Sequence, residues 1–259
     1  MAASEARGMG RPLDSSRSLL GRVVHTVGRK IVGGELPPGA VMPVEAEWGA
    51  QMGVSRTVMR EATKVLISKG LVESRPKTGT RVRGAEFWNR LDPDVLAWQM
   101  AVAPRETFVR EIFEFRRTIE PSVAALAATR VTPEQLDGMA RALDGMTEAG
   151  DDGRQFIGPD LDFHLGILNA VDNGMIRSLS GVIETALTIS MYLSLDNPRG
   201  QRHSLPLHRA VYDAIRAGEP EGARSAMLRL VDDAEDDAAK AMKTRGVGGT
   251  GRNGKSRKG

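Results

Sequence analysis

The sequence predicts a mainly α fold: an N-terminal head in which helices lead into a small β-hairpin, followed by an all-α helical bundle. Three observations predict it. From about Glu106 onward every periodic stretch repeats its apolar residues at helical spacing, with no strand-like alternation between them. In the head, the turn Gly53-Val54-Ser55 opens a helix with an apolar stripe on one side and a basic row on the other. Directly after it, Gly70–Arg83 alternates β-branched residues with charges around a Pro76–Gly79 break, which reads strand, turn, strand.

Taken in order, residues 1–16 are Gly/Ser/Ala-rich without a period and are expected to be disordered. A helix follows over 17–33, with Leu19, Leu20, Val23, Val24, Val27 and Ile31 on one face and Gly33-Gly34 as its stop. Its His25 reads as a surface histidine. Leu36-Pro37-Pro38-Gly39 is a rigid turn toward a helix over Glu45–Met52. In the next helix Gly53 permits the sharp entry and Ser55 is the N-cap. Val58, Ala62, Val65 and Leu66 form the stripe for burial, while Arg56, Arg60 and Lys64, four apart, line a second face. Taken alone, that row fits a surface helix with solvated charges equally well.

The hairpin decides between them. It adds Lys77, Arg81 and Arg83, so Val54–Arg83 carries eight Lys/Arg against Glu61 and Glu73, a local charge of +6. A helix-turn-helix followed at once by a basic hairpin is the winged-helix arrangement. Its second helix reads base edges in the DNA major groove while the wing grips phosphate or an adjacent groove. Residues 17–83 are therefore assigned as the DNA-binding domain, with double-stranded DNA as partner.

Residues 84–105 hold two of the three tryptophans, Trp88 and Trp98, around an Asp-Pro turn. This segment is expected to be a linker whose aromatics clamp the head onto the body, a local cluster being the alternative. Residues 106–243 form the all-α domain, with a helix signature at Thr132-Pro133-Glu134-Gln135 and further helices near 154–172, 174–194, 204–217 and 219–243. Residues 244–259 are a Gly-rich basic tail, expected to be disordered.

Composition narrows the function classes. The absence of cysteine excludes disulfides and thiolate metal sites. No apolar run reaches a membrane span and no signal-peptide core is visible, so a cytoplasmic protein without a membrane partner is expected. The net charge of +3 conceals +6 in the winged region, +6 in Lys243–Gly259 and −9 elsewhere. Basic charge gathered into one head, beside an acidic body, argues against a chain that coats polyanions all over.

In the bundle, Asp160 and His164 lie one helical turn apart and His208 opens a separate helix. Such a trio can bind a divalent transition metal inside a bundle. A surface Asp–His ion pair and a separate histidine at the core edge explain the spacing equally well. Arg116 is either a clamp for a carboxylate or the ion-pair partner of Glu120. A metal-dependent hydrolase or isomerase on Asp160, His164 and His208 is the enzymatic alternative. It lacks a nucleophile motif and any well-placed general base beyond Asp162, so the chain is read as non-enzymatic.

Leu36-Pro37-Pro38-Gly39, Val54-Ser55-Arg56-Thr57 with Arg60-Glu61-Ala62, Gly70-Leu71-Val72 and Thr78-Gly79-Thr80 resemble, as an ordered set, the GntR superfamily of bacterial transcription regulators. The resemblance implies operator contacts from Ser55, Arg56, Thr57 and Arg60, with the wing residues Lys77, Thr78 and Gly79 alongside. Where relatives often place an arginine, this chain has Ala46 between Glu45 and Glu47, which puts one contact in question. The pattern Trp88-Asn89-x-Leu91-Asp92-x-Asp94-Val95-Leu96-x-Trp98 resembles FadR-branch repressors of sugar-acid catabolism.

Arg116, Glu120-Pro121, Asp160-x-x-x-His164 and His208 with Ala214-Ile215 resemble the FCD ligand-binding domain of that branch, over roughly 107–240. In its metal-binding members an Asp and three His hold the ion, and an anionic effector completes the shell. Here the fourth position is Leu230, leaving Asp160, His164 and His208 for zinc or a similar divalent ion, held more weakly. The same three residues with Arg116 are the implied effector site. The resemblance thus implies a homodimeric repressor of genes for sugar-acid catabolism (an aldonate such as galactonate), released from its operator by a small carboxylate. Lactate, a hexuronate or an acyl-CoA are the alternative effectors.

Overall fold

The computed structural model describes residues 18–76, 78–102, 106–195 and 198–248, and the chain divides into two compact units, 1–105 and 106–259. In the first unit α1 (Leu19–Val32) is capped by Ser18, whose Oγ accepts from Gly21 N at 2.9 Å. Then come α2 (Glu45–Met52), α3 (Arg56–Ser68), the antiparallel strands β1 (Val72–Arg75) and β2 (Gly79–Val82), a 3₁₀ turn at Ala85–Phe87 and α4 (Pro93–Val102). Gly53 ends α2 in the left-handed region at φ 66°, a conformation costly for any residue with a Cβ, and this aims α3 across it. Ser55 Oγ accepts from Val58 N at 3.2 Å and so caps α3 as the spacing predicted.

The unit's core joins Val23, Val24, Val27 and Ile31 of α1 to Met59, Ala62 and Leu66 of α3 and to Leu71, Val72 and Val82 of the hairpin. Each such Val, Leu, Ile or Met side chain removed from water contributes about 1.5–3 kcal/mol, and Ala62 less. The buried stripe of α3 is turned slightly from the expected one: Met59 is fully buried, while Val58 and Val65 are only partly so. A one-residue step is about 100° of rotation, so the apolar arc centres on Met59 and Leu66 once Arg60 and Lys64 face water. The hairpin pairs Val72 with Val82 and Arg75 with Gly79. The turn at Pro37–Gly39 brings its own backbone onto β2: Val82 N donates to Ala40 O at 3.0 Å, and Met42 N to Thr80 O at 2.8 Å.

The expected linker is largely part of this unit. Trp98 is 2% exposed and lies on α1 at Gly28, where a Cβ would sit 2.3 Å from the indole ring. Its Nε1–H donates to His25 Nδ1 at 2.9 Å, and Trp88 packs against the same core. The aromatics therefore close the head's own core, because α1 carries a glycine where the indole must approach. His25 stays largely exposed but is the acceptor that orients Trp98.

The second unit is helical throughout its described residues: α5 (Glu106–Ala128), α6 (Pro133–Ala149), α7 (Gly153–Ala170), α8 (Gly174–Arg177), α9 (Ser180–Ser194), α10 (Pro198–Arg216) and α11 (Pro220–Gly248). Helix α11 packs along α5 and α10, and α6 along α7. Thr132 and Gln135 form a reciprocal capping box at the start of α6. The helix expected over 174–194 is split, since Ser178 Oγ and Ser180 Oγ bond back to Gly174 O and Arg177 O and compete with the helical ladder. Helix α11 runs to Gly248, so 244–248 of the expected disordered tail are helical; 249–259 and 1–16 lie outside the described residues. Among the described residues no helix is long and apolar enough to cross a membrane.

Candidate functional site

Among the described residues, each unit presents a candidate site. In the first, Arg56, Arg60 and Lys64 have side chains 77%, 56% and 63% exposed along α3. Their neighbours are acidic: Glu45 lies 3.6 Å from Arg56, and Glu61 lies 3.6 Å from Arg60 and 3.0 Å from Lys64. The hydrogen bond from Lys64 lowers the Glu61 carboxyl below its ordinary value. Exposed pairs of this kind are weak and exchange readily for phosphate. Ser55 is occupied as the cap, and Thr57, Thr78 and Gly79 are exposed. Glu45, Arg56, Gly79 and Thr80 line one surface groove, so the start of α3 and the wing share a face. Lys77 lies outside the described residues. Lys69 is absent from this surface: it is 8% exposed and paired with Asp92 and Asp94, so seven of the eight basic residues of Val54–Arg83 remain for DNA.

In the second unit, α5, α7 and α10 bring Arg116, Glu120, Asp160, His164 and His208 together, all buried. Arg116 Nε–H donates to Glu120 Oε1 at 2.7 Å, the ion pair that was the alternative to a free clamp. Glu120 Oε2 lies 2.8 Å from His164 Nδ1 as an ion-pair contact, and neither atom has another partner. His208 Nδ1 lies 2.8 Å from Ser204 O. The Nε2 atoms of both rings converge on Asp160 Oδ1, at 2.7 Å from His208 and 3.4 Å from His164. Phe163 packs edge-on against both imidazoles, holding the rings nearly perpendicular to each other at 89°.

Every ring nitrogen in this cluster thus faces an oxygen that can only accept. A neutral imidazole carries one N–H, so on each ring one nitrogen would meet its acceptor lone pair to lone pair. A second proton on the ring relieves that conflict, and so does a cation held between the Nε2 atoms and Asp160. The electrostatics follow the contacts. Burial would raise the Asp160 carboxyl, but His208 and His164 outweigh it and hold it well below the usual carboxylate range. Burial is likewise outweighed at Glu120, where Arg116 and His164 bring the carboxyl down to about 2. At His164 burial opposes the charge, yet Glu120 and Asp160 lift the imidazole to about 9.

One ligand atom each from Asp160, His164 and His208 lies within 4.8 Å of the others, a spacing that a single metal ion can bridge. Glu120 behind His164 and the Ser204 carbonyl behind His208 are the outer partners that commonly fix the tautomer of a ligating histidine. The cluster opens into a cavity of about 70 Å³ whose walls include Arg116, Leu187 and Leu230. Leu230, at the implied fourth-ligand position, is 3% exposed. Asp162, the general base of the enzymatic alternative, is exposed and faces away from this cavity. The sequence named Glu120 as the partner of Arg116 but not of His164; nothing local signals that α5 packs across α7 here.

The FCD domain model matches residues 111–233 and the model of bacterial regulatory proteins of the gntR family matches 19–82. The galactonate operon transcriptional repressor of Escherichia coli K12 is 30% identical over 211 residues, covering 81% of this chain and 92% of that protein. The chain belongs to the GntR family. It is a transcription regulator of the GntR/FCD type, in a family of regulators and not of enzymes. The probable D-xylose utilization operon transcriptional repressor of Paenarthrobacter nicotinovorans is 33% identical, covering 78% of this chain and 80% of that one. Among solved structures, Lar of Listeria monocytogenes shares the fold with a TM-score of 0.60 at 17% identity, over 86% of this regulator and 97% of that chain.

Proposed function

We propose that this regulator is a homodimeric repressor of sugar-acid catabolic genes, whose second unit binds a divalent transition metal and a small carboxylate such as galactonate. Zinc or a similar ion is held by Asp160, His164 and His208. The observation that carries the reading is the set of buried imidazole nitrogens aimed at acceptors. A divalent ion between neutral rings resolves that conflict, and with Arg116, Glu120 and Asp160 leaves one net positive charge at the cluster, while Asp233 and Asp237, which also line the cavity, lie beside His203 and Lys240. A single carboxylate neutralises it, which is why an anionic effector fits. The charged groups lining the cavity, Arg116, Asp160, His164 and His208, suit a small polar acid and not an acyl chain.

Operator contacts are assigned to Arg56, Thr57 and Arg60, with Ser55 ordering the helix start and Lys77, Thr78 and Gly79 contributing from the wing. Two heads related by a dimer axis would read a pseudo-palindromic operator. The effector weakens that grip only if it binds the DNA-free arrangement more tightly. Fluorescence anisotropy on the regulator's own upstream DNA tests this, with zinc present and galactonate, lactate, glucuronate or an acyl-CoA added. Galactonate is expected to release the DNA at lower concentration than the other acids. No protein-dependent shift at low salt would end the reading, and a lower threshold for another acid would replace the effector.

A further inference from the structure

Lys69 sits at the C-terminal cap of α3 with its charge turned inward. Its Nζ lies 2.8 Å from both carboxylate oxygens of Asp92 and 2.7 Å from Asp94 Oδ2, with the Trp98 ring centroid 5.7 Å away. Each ammonium N–H therefore has an acceptor. Asp92 has a second task, since its Oδ1 accepts from Asp94 N and Val95 N at 3.0 and 3.2 Å and so caps α4. The backbone adds a parallel tie, with Asn89 N donating to Lys69 O at 2.9 Å. These contacts fasten the end of α3 to the start of α4, and Trp98 then fastens α4 to α1.

We propose that Lys69 is a positioning residue that makes α3 and α4 one rigid piece, so that α4 sets the attitude of the recognition helix. The chain passes from α4 through residues 103–105 into the second unit, which makes α4 the covalent route for any effector-driven movement. This rests on the effector-controlled reading above. Lys69 does not itself touch DNA: it is buried, and nine residues beyond Arg60 it lies about 14 Å along the helix axis. Burying an ammonium between two carboxylates carries a desolvation cost that apolar side chains would avoid. The arrangement therefore contributes fixed geometry more than stability.

The test compares the wild-type chain with Lys69→Met/Asp92→Asn/Asp94→Asn, which removes all three charges and leaves none unpaired. Asparagine at 92 keeps the capping acceptor. Lys69→Arg serves as the conservative control, expected to restore wild-type behaviour. In amide hydrogen exchange on the full chain, the first turn of α4 should lose protection by about tenfold or more in the triple variant while Met59 and Ala62 stay unchanged. On a duplex selected in vitro by the wild type, the variant should bind within about threefold without effector, because the sites are distant. Its response to galactonate with zinc should be lost. Wild-type α4 protection together with a wild-type galactonate response overturns the proposal, and so does complete loss of DNA binding in the variant. If galactonate leaves wild-type DNA binding unchanged, the aldonate reading fails on its own and hydrogen exchange alone decides the role of Lys69.

Discussion

His208 and Asp160, 48 residues apart in the chain, meet inside the second unit with Nε2 2.7 Å from Oδ1. The contact exists because α10 presents His208 with its other nitrogen anchored on Ser204 O, one turn earlier in the same helix. A backbone carbonyl on one nitrogen of an imidazole fixes the ring and turns the other nitrogen toward Asp160, an orientation compatible with a shared metal ion.

Glu120 is the outer partner on the other histidine, and Glu120→Gln removes its charge while keeping its shape. Loss of such a partner typically weakens a metal site by about 10–100-fold. We expect a zinc affinity reduced within that range by competition against a chromophoric chelator, with operator affinity in the absence of effector unchanged. An unaltered zinc affinity would remove Glu120 from the site.

The metal-free protein has its own pH signature. Glu120 is lowered to about 2, so its contribution is present above its unfolded value of 4.5 and is lost as pH falls from there toward 2. His164 is raised to about 9, so its contribution is complete below 6.5 and is lost as pH rises through 9. Each amounts to a few kcal/mol, because a tenfold change in proton affinity corresponds to about 1.4 kcal/mol. Urea unfolding of chelator-treated protein should therefore show stability declining between pH 6.5 and 9, and zinc should abolish that alkaline decline. Identical profiles with and without zinc would contradict the assignment.

In the head, Arg56→Ala/Arg60→Ala removes the two guanidinium groups nearest the start of α3. A bidentate base contact discriminates by about 1–3 kcal/mol, so the pair should account for most of the preference for operator over random DNA. Anisotropy against both duplexes should show the two affinities converging, while circular dichroism and oligomeric state stay as in the wild type. A preserved ratio would mean that α3 is not the reading helix.

Gly28→Ala probes the seat of Trp98. The added Cβ would lie 2.3 Å from the indole, deep in the core, where the ring cannot swing aside. Overpacking costs about 1–3 kcal/mol, against at most about 1 kcal/mol regained from replacing a helical glycine. A net loss of roughly 1–2 kcal/mol is expected in denaturant unfolding followed by tryptophan fluorescence. A stabilised variant would show that α1 and α4 can separate without penalty.

The fold class was legible because it rests on local patterns. Apolar spacing marked α1, α3 and the bundle helices, Gly53 and Ser55 marked the turn and cap, and alternation around Pro76–Gly79 marked the hairpin. Asp160 and His164 could be paired because one helical turn separates them. These features could be read along the chain, since periodicity, turn chemistry and capping act within a few residues. Which charges are used up and which remain depends on packing between segments distant in the chain. Lys69 looked like one more basic residue beside the wing until α4 brought Asp92 and Asp94 to it. Trp98 looked like a clamp between domains until Gly28 received it, and Glu120 joined His164 only because α5 crosses α7. Such pairings depend on which helix faces which, a choice made by the burial of whole faces and invisible in any single stretch of chain.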